Sequence, residues 1–132
     1  MENPSPITKK SILGSWKLLD FHITQSNGDT KKWGLNPNGL LIYDESGYMS
    51  ASINSGANIE ESTQNLERNI LFYSGQYKIT GKNEITHFVD NASNPYRIGK
   101  EFIRNAKLLK KNQLQLIADG EYGRAYLLWE KL

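Results

Sequence analysis

The sequence predicts an all-β domain, roughly eight antiparallel strands closed into an up-and-down barrel with one short helix. Three observations predict it. Apolar residues alternate with a period of two along most segments, which is the spacing of a strand with one buried face. Those segments are joined mainly by short Gly, Asn and Asp turns rather than by crossover connections. Their number, about eight, is that at which such a sheet closes around an interior just wide enough for side chains or one small ligand.

The 132 residues suit one domain, with residues 1–10 as a flexible or loosely docked lead-in and residues 11–132 as the barrel. Ser15 to Thr24 is apolar on both parities and ends at the turn Ser26-Asn27-Gly28-Asp29, so a long strand with a bend or bulge is expected. Lys31 to Trp33 is a short strand candidate, and Leu40 to Asp44 follows a Pro37-Asn38-Gly39 reversal. In Tyr48 to Ile53 the residues Met49, Ala51 and Ile53 alternate against Tyr48, Ser50 and Ser52. Ile59 to Phe72 reads as a weak amphipathic helix whose narrow apolar stripe, Ile59 and Leu66, should lie across one end of the sheet as a lid or plug.

The stretch from Phe72 to Asp90 reads as the central hairpin, with Tyr73, Tyr77 and Ile79 alternating before the turn Thr80 to Asn83 and Ile85, His87 and Val89 after it. Asn91 to Ile98 is a loop. Gly99 to Lys107, Gln113 to Ala118 and Tyr122 to Lys131 complete the meander across the turns Lys110 to Asn112 and Asp119 to Glu121.

Composition excludes several functions. Sixteen basic and 14 acidic residues are scattered in both signs, so no field draws polyanions and nucleic acid is not an expected partner. The absence of cysteine rules out disulfides, thiolate metal sites and a cysteine nucleophile, and two histidines without cysteine argue against zinc. No cofactor is expected, although a single axial histidine suffices for haem in some barrels. No apolar run suits a secretory signal or a membrane span, which makes a cytoplasmic location and no membrane partner the expectation.

The residues that carry chemistry cluster near the hairpin. His87 within an apolar barrel would have a depressed pKa, and Arg104 shares parity with Phe102, so an inward guanidinium must be paired or meet an anion. Tyr43, Tyr73, Tyr77 and Tyr126 supply phenols, and with Trp33 form the expected aromatic lining, to which Met49 and Phe102 add apolar surface. These nine residues are the candidate ligand contacts. If the barrel is an enzyme, His87 and Tyr73 would serve as acid or base and Arg104 would stabilise developing negative charge. His22 lies two residues from Asp20 on the Trp16 strand, a spacing compatible with an Asp–His pair. Leu19, Phe21 and Ile23 would form an outer face suited to a homodimer if Trp16 points inward.

The Gly14-Ser15-Trp16 triplet opening the first long strand resembles the signature of the lipocalins. The ordered series continues with Gly39 to Tyr43, Gly47 to Ala51, Tyr73 to Tyr77, Ile85-Thr86-His87, Pro95, Gly99, Arg104 and Leu128 to Lys131, and as a whole resembles the lipocalin-like domain family of small barrels. The resemblance implies an eight-stranded barrel with Trp16 at the closed end beneath a basic residue of the last strand, where Lys131 replaces the more usual arginine. The residues themselves, rather than the resemblance, point to a small, mostly apolar ligand in the interior, with a carbonyl or carboxylate read by Arg104, His87 and a tyrosine. The alternative is a cofactor-independent isomerase, cyclase or hydro-lyase using the same cavity.

Overall fold

A computed structural model describes residues 6–64, 66–110, 112–120 and 123–132. Expectations that fall on Met1 to Ser5, Asn65, Lys111, Glu121 and Tyr122 lie outside the described residues.

The chain forms a nine-stranded antiparallel sheet in the order β2-β1-β3-β4-β5-β6-β7-β8-β9, and the pairing of β1 with β9 closes eight of these strands into a barrel. β1 (Gly14–Thr24) pairs with β3 (Asn38–Tyr43) through its first residues, with β2 (Thr30–Lys32) through its last, and with β9 (Gly123–Lys131) along its other edge. β4 (Tyr48–Asn54), β5 (Ile70–Gly81), β6 (Glu84–Ala92), β7 (Glu101–Leu109) and β8 (Gln113–Gly120) follow as successive hairpins. β2 is the extra strand beyond the eight of the barrel.

The predicted irregularity in β1 is a bulge between Leu18 and Asp20 on the β9 side. One extra residue exchanges the faces of everything beyond it. Trp16 and Leu18 point inward before the bulge, Leu19 is exposed, and Phe21 and Ile23 point inward after it. The expected outer face of Leu19, Phe21 and Ile23 therefore does not form.

The up-and-down course places the β3–β4, β5–β6 and β7–β8 turns at one end with the start of β1. That end is closed. Helix α1 (Lys9–Ile12), capped by Thr8, buries Ile12 beside Ile7, whose amide donates to Lys82 O at 2.7 Å in the β5–β6 turn. Lys9 Nζ reaches Glu45 O in the β3–β4 turn, and Trp16 Nε1 donates to Ile12 O at 2.9 Å. The lead-in from Ile7 onward is thus packed onto the barrel floor rather than loose. Lys131 Nζ stands 5.7 Å over the Trp16 ring, so lysine fills the basic position that the resemblance implies.

The expected helix over Ile59 to Phe72 is shorter. It is α2 (Ile59–Gln64) and α3 (Leu66–Asn69), and β5 starts at Ile70 because Ile70 to Phe72 pair in register with Asn54 to Ser52. Its apolar stripe does not plug the barrel: Ile59 is 84% exposed and Leu66 55%. A few turns carrying two apolar residues bury too little surface to hold a helix against the rim.

Candidate functional site

The interior of the open half of the barrel holds a cavity of about 340 Å³. This lies within the usual range of small-ligand sites, about 300–1,000 Å³. Leu41, Leu116, Leu127 and Trp129 form its apolar wall together with Phe21 and Ile23 of the bulged strand. The polar groups converge on one side. Tyr73, His87 and Arg104 all face the cavity, with Arg97 from the 3-10 turn Pro95–Arg97 above them.

Strand pairing brings these residues together. β5 and β6 place Tyr77 opposite His87, and β6 and β7 place His87 opposite Phe102, so alternate residues on three neighbouring strands share the inner face. His87 is 1% exposed and both its ring nitrogens are engaged: Tyr43 Oη lies 2.6 Å from Nε2 and Tyr73 Oη 2.6 Å from Nδ1. Burial, reinforced by the Arg104 charge, lowers the His87 pKa to about 3. The imidazole is therefore neutral near pH 7, with one N–H donor and one acceptor nitrogen.

Hydrogen-bond arithmetic fixes the direction of this chain. Among the described residues Tyr43 Oη has no acceptor other than His87 Nε2. If its proton pointed elsewhere, a buried donor would be orphaned at a cost of about 1–3 kcal/mol. Tyr43 therefore donates to Nε2, and Nδ1–H donates to Tyr73 Oη. That leaves the Tyr73 O–H as a donor at the cavity wall. Burial raises the pKa of Tyr43 well above the ordinary phenol value and that of Tyr73 as well, the latter opposed by the charge and hydrogen bonding of Arg104.

Arg104 is half-buried, stacked at 4.9 Å over the Phe102 ring, with its Nη1 donating weakly to Ile103 O at 3.3 Å. Among the described residues it makes no ion pair. Of the acids that could have paired with it, Asp20 bonds His22, Asp44 accepts from the Ser46 amide, and exposed Asp90 makes no ion pair with it. Asp119 faces the same cavity but is held by Arg124 Nε at 2.7 Å.

A family model described as a lipocalin-like domain matches residues 13–132. The chain belongs to the lipocalin-like domain family. Among solved structures, a redesigned β-barrel matches with a TM-score of 0.52 and 8% identity over 98% of this chain and 99% of that one, a likeness of fold alone. Comparison with curated protein sequences finds no match. A barrel of the ligand-binding type is what membership of this family supports.

Within this lipocalin-like barrel, the sequence-predicted contacts divide. Tyr73, His87, Phe102 and Arg104 line the cavity together. Tyr43, Tyr77 and Met49 point inward but on the closed-end side of His87, where Tyr43 and Tyr77 pack edge-to-face at 4.8 Å and Tyr77 Oη donates to Asp44 O at 2.7 Å. They support the site rather than line it. Trp33 stacks on Phe21 at 4.9 Å near the rim, outside the cavity wall. Tyr126 faces outward: Ala125 and Leu127 on either side of it line the cavity, while Tyr126 stacks on His22 at 5.0 Å over the Asp20–His22 hydrogen bond of 2.9 Å. That placement follows from strand alternation along β9, where Ala125, Leu127 and Trp129 take the inner face.

Phe21 and Ile23 were missed because the position of the bulge decides their face. Trp129 and Leu116 were open to detection by alternation along β8 and β9. A haem iron would need a ring nitrogen free toward the cavity, and both nitrogens of His87 are taken by phenols. Among the described residues no three His, Asp or Glu side chains gather as a metal site.

Proposed function

We propose that this lipocalin-like barrel binds a small, mostly apolar molecule in the open half of its interior, oriented by an acceptor oxygen at Tyr73 and Arg104. The observation that carries the reading is the chain Tyr43–His87–Tyr73, which turns one hydroxyl donor toward a mostly apolar cavity beside a guanidinium that makes no ion pair among the described residues. A core built only for stability gains nothing from burying three such groups, because each must find its own partner. A ligand site needs few polar groups, held rigidly.

The isomerase, cyclase or hydro-lyase alternative requires a group that exchanges a proton near neutrality. His87 protonates at about 3 and both phenols titrate above their ordinary value, so the chain serves for holding rather than for acid–base exchange.

Native mass spectrometry of freshly purified protein tests the reading, together with the cavity-filling variant Ala118→Phe, since Ala118 lines the cavity. The expected result is a co-purifying small molecule in the wild type, released on denaturation and absent from the variant. Bare mass in both proteins, with no binding of neutral or acidic aromatic probes, would count against it.

A further inference from the structure

The barrel wall is parted beside the site. β7 pairs with β6 from Glu101 to Asn105, but its pairing with β8 starts only at Asn105 opposite Ile117. Beyond that point Glu101 to Arg104 have a neighbour on one side only, while Ala118 to Gly120 continue on β9. A wedge-shaped split results, lined by Phe102, Ile103, Arg104, Ile117 and Asp119, with Glu84 and Glu101 at its edge. Phe102, Arg104 and Asp119 line both the split and the cavity, so the two communicate at Arg104.

We infer that the occupant is a monocarboxylic acid, its carboxylate on Arg104 and Tyr73 on the cavity side of the split and its apolar body directed toward Trp129. This rests on the binding reading above and names the ligand class.

Three independent features lead to it. The first is charge: Arg104 and Arg97 line the cavity, and among the described residues the one carboxylate there, Asp119, is bonded to Arg124. The negative charge of Glu84, which accepts from Thr80 at 2.6 Å, and of exposed Glu101 lies at the outer edge of the split, so an anion meets net positive charge only on the cavity side of Arg104. A planar guanidinium fixed on an aromatic ring is suited to a carboxylate, which accepts two parallel N–H bonds. The second is donor direction: Tyr73 offers an O–H to the cavity, and among the described residues the carboxylate that faces it, Asp119, is already bonded through Oδ1 to Arg124. The third is position. Arg104 lies where the cavity meets the split, so a carboxylate on it keeps part of its hydration, which lowers the desolvation cost that a charge deep in the barrel would carry.

The test compares cinnamate with cinnamamide, probes of nearly equal shape that differ in charge, by calorimetry on the full-length protein. Cinnamate is expected to bind at least about tenfold more tightly. Arg104→Gln should abolish that preference by lowering cinnamate affinity at least about tenfold more than cinnamamide affinity, and Arg104→Lys should retain part of it. In NMR spectra cinnamate should shift the amides of Phe102 to Asn105 and Ile117 to Asp119. Equal affinities in the wild type, a measurement independent of any variant's folding, would overturn the carboxylate assignment and leave the binding reading standing. Binding of neither probe, nor of the neutral fluorophore 1-anilinonaphthalene, would overturn both.

Discussion

Tyr43 Oη and His87 Nε2 are 2.6 Å apart in the interior of the barrel, and the shortage of other acceptors around Tyr43 assigns the proton between them to the phenol. His87 is thereby fixed as the Nδ1–H tautomer, with Tyr73 as its acceptor. Long-range ¹H–¹⁵N spectra of the imidazole should report that tautomer at pH 7. An Nε2–H signal would reverse the chain and remove the Tyr73 donor from the cavity. Tyr43→Phe should cost about 1–3 kcal/mol in urea denaturation, because it leaves a buried acceptor unmet.

The depressed pKa of His87 makes stability depend on pH. In the unfolded chain the imidazole binds a proton near its ordinary value of about 6.5, while in the barrel burial and then Arg104 hold protonation down to about 3. Between those values the unfolded state binds more protons, so stability is fully present above the unfolded pKa and falls as pH drops toward the folded one. The slope should approach about 1.4 kcal/mol per pH unit between roughly pH 6 and pH 4. Denaturation curves at several pH values check this, and His87→Gln should flatten the dependence in that window.

Two buried tryptophans face different hydrogen-bond circumstances. Trp16 Nε1 donates to Ile12 O, whereas buried Trp129 Nε1 has no protein acceptor among the described residues. Both substitutions to Phe remove similar volume, but only Trp16→Phe breaks a bond and strands the Ile12 carbonyl. Trp16→Phe is therefore expected to be the more destabilising by about 1–3 kcal/mol in parallel chemical denaturation. Equal losses would show that the indole bond to α1 contributes nothing.

At Gly75 a Cβ would run into the Phe88 carbonyl oxygen, where the β5–β6 register shifts and Asp90 is the extra residue. Closing the sheet at this bulge requires the backbones to approach that closely. Gly75→Ala should lower stability by about 1–3 kcal/mol through strand displacement. Gly28→Ala is a useful contrast: its φ of +92° strains the turn, but nothing lies within 4 Å of the added atom.

Alternation alone was enough to read the hairpin from Tyr73 to Val89, the inward parity of Arg104 with Phe102, and the near-eight count of strands. It also pointed to a bulge in β1, since a segment apolar on both parities has to change faces somewhere. What it could not supply was the residue at which the change occurs, and so Phe21 and Ile23 were placed outside although they line the cavity. Tyr126 is a different case: it lies an odd number of residues, three, from inward-facing Trp129, so alternation alone puts its phenol on the outer face. The helix was overextended because Ile70 and Leu71 fit a helical stripe as well as a strand, and only pairing with β4 decides between them.

By itself the sequence determined the all-β class, the hairpin order and the residues with side chains able to read a polar ligand, because these depend on periodicity and turn chemistry that act over a few neighbouring residues. Tertiary structure alone decided that Tyr43 and Tyr73, from strands 30 residues apart, close on the two nitrogens of one imidazole, and that β7 and β8 part beside Arg104. Those outcomes depend on register and closure around the whole barrel, where each strand's position is set by partners distant in the chain.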